Sequence, residues 1–306
     1  MEDSPAGEAS GLIKNAVLIA GPTASGKSAL ALELAERLGG VVVNADSMQV
    51  YSVLEILTAR PRGADLARAR HLLYGHVHPD TAYSTGAWLR DVERIGKDLA
   101  GRPAIFTGGT GLYFRGLLEG LSAMPDIPAT IRERWRNRLA AEGAESLHRL
   151  LGEMDPDAAV SLRPTDGQRI VRALEVFDAS GRSIRSWQAE RGRPLIDSAT
   201  SRLFVIEPDR AVLVRRIEDR FDRMIEEGML DEVRAFAALG LDRSLPATKA
   251  IGLQELEAAL AGQIGLEEAI ARAKASTRQY AKRQTTWFRH QLGPEWRRLG
   301  AAERPF

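Results

Sequence analysis

Eight consecutive residues, Gly21-Pro22-Thr23-Ala24-Ser25-Gly26-Lys27-Ser28, restrict what this chain can fold into more than any other segment. They follow an apolar run at residues 16–20 and open a stretch in which Leu30, Leu34 and Leu38 recur at every fourth position, on one face of a helix. A strand, a glycine-rich turn and a helix in that order aim backbone N–H groups and a helix N-terminus at one point, which is how a phosphate-binding loop works. In such a loop the lysine, here Lys27, contacts the terminal phosphate, and the residue after it, here Ser28, is a ligand for Mg²⁺. The bland alternative, a chance glycine-rich turn, is disfavoured by the strand before it and the helix after it.

Short β-prone runs at residues 16–20, 41–43 and 104–107 alternate with helical patterns at 27–38 and 86–100, and this alternation predicts a parallel sheet. Gly39 and Gly40 stop the first helix ahead of the second strand. Beyond Leu121 the texture changes: Pro125, Pro128, Pro156 and Pro164 punctuate Arg-rich helical stretches, and no strand pattern returns until residues 203–206. The expected architecture is α/β, a P-loop NTPase-like parallel sheet core flanked by helices, with a helical insertion domain. The first part of the core is expected at 12–121, the insertion at 122–197, and core completion with basic C-terminal helices at 198–292, leaving tails at 1–11 and 293–306.

Composition excludes several classes of function. The 306 residues include no cysteine, which removes disulfides, thiolate nucleophiles and Cys-based zinc sites and fits a reducing compartment. With 42 basic and 41 acidic residues the net charge is +1, so any nucleic-acid surface has to come from local clustering of Lys and Arg. Residues 1–11 carry Glu2, Asp3 and Glu8 and lack the basic-then-apolar order of a signal peptide, so a disordered tail is expected there. The apolar run at 16–20 falls far short of the roughly 18–20 residues that span a bilayer. A soluble, cytoplasmic monomer is expected. His71, His76, His78 and Asp80 invite a zinc reading, but with no thiolate and no helical His pair beside them, loop or core roles are favoured.

A second chemical feature lies where the second strand ends, in Asn44-Ala45-Asp46-Ser47-Met48-Gln49-Val50-Tyr51. Open α/β sheets bind ligands at the carboxyl ends of their strands, so Asp46 is a candidate general base for a weak nucleophile. Capping of the following turn fits Asp46 equally well. A motor-type NTPase would place an Asp at a strand end to hold Mg²⁺, but Ile105-Phe106-Thr107-Gly108-Gly109-Thr110-Gly111 carries none, and hydrolysis as an end in itself loses support.

Further segments join these in order: Gly108 to Tyr113, Gln168-Arg169-Ile170-Val171-Arg172, Arg216-Ile217-Glu218-Asp219-Arg220, and Lys282-Arg283-Gln284-Thr285-Thr286-Trp287. The series resembles the bacterial tRNA dimethylallyltransferases, also called tRNA isopentenyltransferases, over roughly residues 14–290. The resemblance implies Mg²⁺ and transfer of a dimethylallyl group from dimethylallyl diphosphate to N6 of the adenosine 3′-adjacent to the anticodon, in tRNAs reading codons that begin with U. It makes Gly21 to Ser28, with Arg216 and Arg220, the diphosphate grip, Asp46 the base, and Lys27 and Thr110 its catalytic companions. The physics agrees: ionising an allylic C–O bond leaves growing negative charge on the diphosphate, which N–H groups, cations and Mg²⁺ stabilise. Arg216 and Arg220 flank Glu218 and Asp219, so a surface ion-pair network is their alternative.

For the tRNA anticodon stem-loop the resemblance selects Asp46, Ser47, Met48, Gln49, Thr110, Arg132, Gln168, Arg169, Ile170, Val171, Arg172, Lys249, Lys282, Arg283, Gln284 and Arg289. Between Arg272 and His290 there are six Lys or Arg residues and no acid, interleaved with Tyr280, Trp287 and Phe288. On a helix Arg278, Lys282 and Arg289 share one stripe and Tyr280, Gln284 and Trp287 another, dividing phosphate contact from packing or stacking. A solvated basic face is the alternative here and for Arg132, Arg134, Arg136 and Arg138. Two departures stand out: Leu253 and Gln254 occupy positions where the family often shows Tyr and Arg, and Thr58-Ala59-Arg60-Pro61 carries Arg in place of Lys. Competing functions are an adenylate isopentenyltransferase, a P-loop small-molecule kinase, and a non-catalytic RNA-binding protein.

Overall fold

The computed structural model describes residues 11–300 except Lys97, Ala100 and Arg191, together with Glu303 and Arg304. All but Gly11 of the expected N-terminal tail lies outside the described residues. The chain forms two compact units: residues up to Leu118 with those from Leu195 onward, and the intervening Glu119–Pro194.

The chain opens with β1 (Val17–Ala20), α1 (Lys27–Leu38) and β2 (Val41–Asn44), then α2 (Ala64–Arg68), β3 (Arg70–Leu72), α3 (Thr85–Ile95), β4 (Ala104–Gly108) and α4 (Gly111–Glu119). The second unit holds α5 (Ala129–Glu142), α6 (Ala144–Met154), α7 (Pro156–Val160), α8 (Gly167–Ser180) and α9 (Ile184–Ala189). The first unit resumes with β5 (Arg202–Ile206), α10 (Arg210–Glu226), α11 (Met229–Ala237), a 3-10 turn at Pro246–Lys249, α12 (Leu253–Leu260), α13 (Leu266–Gln291) and β6 (Arg297–Leu299).

The six strands form one sheet in the order β3-β2-β4-β1-β5-β6, with every pairing parallel. On β1, Val17 and Ile19 join the core with Leu30 and Leu34 of α1, whereas Leu18 and Ala20 belong to the larger core that holds Trp88, Phe106 and Phe114. A strand apolar on both faces is how a central parallel strand reads. Three neighbouring strands therefore end side by side, and each delivers a loop of interest: residues 21–26 after β1, residues 45–49 after β2 and residues 109–110 after β4.

The edge strands β3 and β6 have no counterpart in the strand reading. Each is three residues long and rich in Arg or His, so neither shows an apolar run, and charged short edges suit a sheet that must not pair with another. β6 falls inside the segment expected as a C-terminal tail, and the helix expected at 86–100 ends at Ile95. The second unit packs its own core from Trp135, Leu147, Leu151, Ile170, Val171 and Leu174. No described helix is long and apolar enough to cross a membrane.

Candidate active site

The phosphate loop curls because Ala24 (φ 62°) and Gly26 (φ 97°) both take left-handed backbone, with the Ser25 N–H donating to the Pro22 carbonyl at 3.2 Å. Gly21, Pro22 and Ser25 are buried, Thr23, Ala24 and Lys27 half-buried, and Gly26 and Ser28 exposed. Two arginines one turn apart on α10 close over this loop. Arg216 Nη1 donates to the Ser25 carbonyl at 3.2 Å, and Arg220 Nη2 donates to Thr23 Oγ1. Among the described residues neither arginine forms an ion pair, and Glu218 accepts instead from Arg278 Nη1 at 2.9 Å.

Burial pushes the Lys27 amine down to about 8, opposed by Asp46 and aided by Arg220. Burial likewise pulls Arg220 down to about 10, again opposed by Asp46. Asp46 is thus the negative charge that both cations feel. Lys27, Ser28, Arg216, Arg220 and Arg223 line a cavity of about 460 Å³. A second cavity, of about 290 Å³, is lined by Asp46, Met48, Leu57, Ile217, Phe221, Met224 and Tyr280 among others. Arg220 lines both.

Asp46 owes its position to a buried neighbour. Asn44 Oδ1 accepts the Asp46 N–H at 2.8 Å, and Asn44 Nδ2 donates to the carbonyls of Asp46 at 2.9 Å and Leu73 at 3.0 Å. Of the two roles weighed for Asp46, the turn cap is formed by one oxygen alone. Oδ1 accepts the Met48 N–H at 2.9 Å and caps the turn, and among the described residues no hydrogen bond engages Oδ2. Thr110 Oγ1 accepts the Ser47 N–H at 2.9 Å, tying the β4 loop to the Asp46 loop. Gln49 donates its amide to the carbonyls of Thr58 and Ala59 at 2.8 and 2.9 Å, so that end serves the fold.

Whether the loop suits Mg²⁺ turns on Ser28, whose residue is exposed beside Lys27 in the cation-lined cavity. Among the described residues no group of three or more His, Asp or Glu is disposed to hold a metal. A magnesium ion bound with a diphosphate keeps several waters and needs few protein ligands, so Ser28 with substrate oxygens fits it. The histidines have other partners: His76 Nε2 lies 3.2 Å from the Tyr83 hydroxyl, and His78 Nδ1 2.8 Å from Asp80.

Of the residues expected on RNA, Lys249, Lys282, Arg283 and Arg289 are exposed, and Lys249 and Arg283 also line the Asp46 cavity. Gln284 is buried at 6% exposure: its Oε1 accepts the Thr23 N–H and its Nε2 donates to the Gly109 carbonyl, each at 2.9 Å. That corrects its expected role, because both ends of the amide are spent inside the protein. Within the second unit, Arg132, Gln168 and Arg169 are exposed and Arg172 is half-buried, but Ile170 and Val171 sit in the core and cannot reach RNA. Arg134 pairs with Asp178 and Arg138 with Glu142, whereas Arg132 has no ion pair among the described residues. Of the departures, Leu253 is core and Gln254 is exposed, and Arg60 donates to the Tyr51 carbonyl and to Glu55.

Two residues escaped the sequence reading. Asn44 was quoted in its motif without a role, although an Asn two residues before a strand-end Asp is a known turn former. Glu232 accepts the N–H groups of Glu55, Ile56 and Leu57 at 2.7, 2.6 and 2.8 Å, and no sequence signal could have linked residues so far apart.

A loop of this kind on a central parallel strand makes the protein a P-loop α/β protein, and a carboxylate lining a cavity that also holds apolar side chains suits group transfer better than motor work. A family model described as IPP transferase matches residues 49–291, and one described as isopentenyl transferase matches residues 14–79. The chain belongs to the IPP transferase family. A tRNA dimethylallyltransferase of Mesorhizobium japonicum is 68% identical over 300 residues, covering 98% of this chain and 94% of the relative. Its counterpart in Chelativorans sp. is 60% identical, covering 94% of this chain and 99% of the relative. The crystal structure of the tRNA isopentenylpyrophosphate transferase of Bacillus halodurans matches with a TM-score of 0.67 at 30% identity, over 94% of this chain and 90% of that one. A eukaryotic dimethylallyltransferase acting on tRNA matches with a TM-score of 0.79 at 26% identity, over 95% of this chain and 75% of that one.

Proposed function

We propose that this transferase moves a dimethylallyl group from dimethylallyl diphosphate to N6 of the adenosine 3′-adjacent to the anticodon, in tRNAs reading codons that begin with U. The observation that carries the reading is Arg220, which lines both the cation-rich cavity of the phosphate loop and the partly apolar cavity that Asp46 lines. A donor seated there has its diphosphate among Lys27, Arg216 and Arg220 and its hydrocarbon among Leu57, Ile217, Phe221 and Met224. The allylic C–O bond breaks with its electron pair going to the diphosphate, the N6 lone pair forms the new C–N bond, and the amine proton passes to Asp46 Oδ2. An exocyclic adenine amine is a poor nucleophile, so proton removal as the bond forms lowers the barrier, by general-base catalysis worth about 10²–10⁴-fold. Mg²⁺, held through Ser28, would add charge neutralisation on the leaving diphosphate.

The names of the relatives favour tRNA as acceptor over a free adenine nucleotide, and favour prenyl transfer over a kinase reaction. Arg132, Gln168, Arg169, Arg172, Lys249, Lys282, Arg283 and Arg289 are the proposed RNA contacts, in an enzyme that works in the cytoplasm as a monomer. The test is mass spectrometry of tRNA incubated with enzyme, Mg²⁺ and dimethylallyl diphosphate, beside a reaction holding ATP and no prenyl donor. A prenyl mass shift on the adenosine next to the anticodon is expected. No shift, together with conversion of ATP to ADP, would replace the transferase reading with a kinase.

A further inference from the structure

The buried amide of Gln284 joins two loops that the sheet delivers separately. Its Oε1 takes the N–H of Thr23, in the loop after β1, and its Nε2 donates to the carbonyl of Gly109, in the loop after β4. Thr23 is thereby held twice, since Arg220 holds its hydroxyl. The other loop is held with equal closeness. A Cβ on Gly109 would stand 2.1 Å from Gln284 Nε2 and 3.3 Å from Asp46 Oδ2, so the glutamine amide and the reactive carboxylate converge on one point. One turn further along α13, a Cβ on Gly111 would stand 2.1 Å from the Trp287 ring. Thr110, between these two glycines, holds Ser47 beside Asp46.

We propose that Gln284 is a positioning residue for the transfer reaction: it registers the phosphate loop against the Gly109–Thr110 turn, and so fixes the reach from the diphosphate to the Asp46 carboxylate. The inference deepens the transfer reading and rests on it. The amide is buried with both its ends engaged by backbone groups, and turning it toward RNA would leave those groups unpaired, which is costly. Reacting atoms have to be held within a fraction of an ångström, and a displacement of about 1 Å set up outside the chemistry lowers turnover about 10²-fold. Lys282 and Arg283, on the exposed side of the same helix, are left for the nucleic acid.

The test uses the full-length enzyme, a tRNA substrate and dimethylallyl diphosphate, with kcat and KM measured beside tRNA Kd and the thermal midpoint. Gln284→Leu, of similar volume and without hydrogen bonds, should lower kcat at saturating substrates about a hundredfold, with tRNA Kd within about twofold of the wild type. Gly109→Ala attacks the same contact from its other side with the glutamine kept, and serves if the leucine variant does not fold. In the double variant the losses should be less than additive, because one contact is broken twice. Three results would each overturn the proposal: unchanged kcat in Gln284→Leu, a tenfold rise in tRNA Kd with kcat preserved, or strictly additive losses. A wild-type enzyme that prenylates nothing would remove the transfer reading first and the positioning role with it; normal wild-type transfer with an unaffected variant sinks only the positioning role.

Discussion

Raising the pH from 7 to 9.5 should disarm the phosphate loop by neutralising Lys27. Burial lowers its amine from 10.5 to about 8, so the side chain is charged below that value and neutral above it. At pH 7 about nine molecules in ten then carry the cation, and at pH 9 about one in ten. Because kcat/KM reports groups in the free enzyme, its value for the prenyl diphosphate should be level to about pH 7.5 and fall about tenfold per unit beyond about pH 8. The kcat at saturation should hold to higher pH, since a bound diphosphate favours the charged amine. Initial rates at fixed ionic strength and saturating tRNA provide the assay, with Lys27→Met as the control that starts low and lacks the descending limb. A flat kcat/KM between pH 8 and 9.5, or a limb that survives in Lys27→Met, would refute the reasoning. The same shift opposes folding. With the folded pKa below the unfolded one, holding the ammonium costs stability below about pH 8, on the order of 3 kcal/mol, and the cost fades as pH rises toward 10.5. Lys27→Met should therefore raise the thermal midpoint at pH 7 and leave it nearly unchanged near pH 10.5.

Asp46→Asn keeps an oxygen for the Met48 N–H and loses the charge, so kcat should fall about 10²–10⁴-fold while tRNA Kd, read by filter binding, changes little. Glu232→Ala strips three backbone N–H groups of their acceptor, and should cost about 2–4 kcal/mol in urea unfolding and raise KM for the prenyl donor, because Leu57 and Thr58 line the cavity. Trp135→Ala empties the core of the second unit and removes one of the partners of Asp178, a loss of about 3–5 kcal/mol that should appear as faster proteolysis within residues 119–194. Lys282→Ala should weaken tRNA binding severalfold, more steeply at low salt, with kcat at saturating tRNA retained.

Legibility followed the range of the physical signal. The phosphate loop was readable because every constraint on it is local: an apolar strand, a left-handed turn and a helical repeat occupy residues 17–38 without a gap. Asp46 was readable as a strand-end carboxylate, but which of its oxygens is engaged depends on Met48 and on the Gly109 turn after β4, which only folding brings together. Gln284 looked like part of a basic, RNA-facing stretch because its neighbours in sequence are Lys282 and Arg283. A helix turns about 100° per residue, and two positions on it faces inward. Its partners lie 261 and 175 residues away, a distance no local pattern spans. Ile170 and Val171 went astray for the same reason: a motif carried over as a block includes the residues that merely hold its helix down.

The site also explains how a chain with a net charge of +1 can bind a trianionic substrate. Arg216 and Arg220 lie on the face of α10 turned to the loop, while Glu218 between them in sequence pairs outward with Arg278, so the helix exports its acid and keeps its bases at the site. Within that cationic setting Asp46 is the counter-charge felt by Lys27 and Arg220. In the proposed reaction it stops being one at the moment it matters. When Asp46 takes the amine proton its charge disappears, and the field of both cations, no longer offset, falls on the diphosphate as its leaving-group charge grows. Proton transfer and leaving-group stabilisation thus reinforce one another through charges already in place, with no reorganisation required at the time of reaction. Arg220→Lys tests this link, because a lysine there keeps a charge but gives up the planar donor set that reaches Thr23. It should lower kcat more than it raises KM for the donor, and a variant altered only in KM would show that Arg220 serves binding alone.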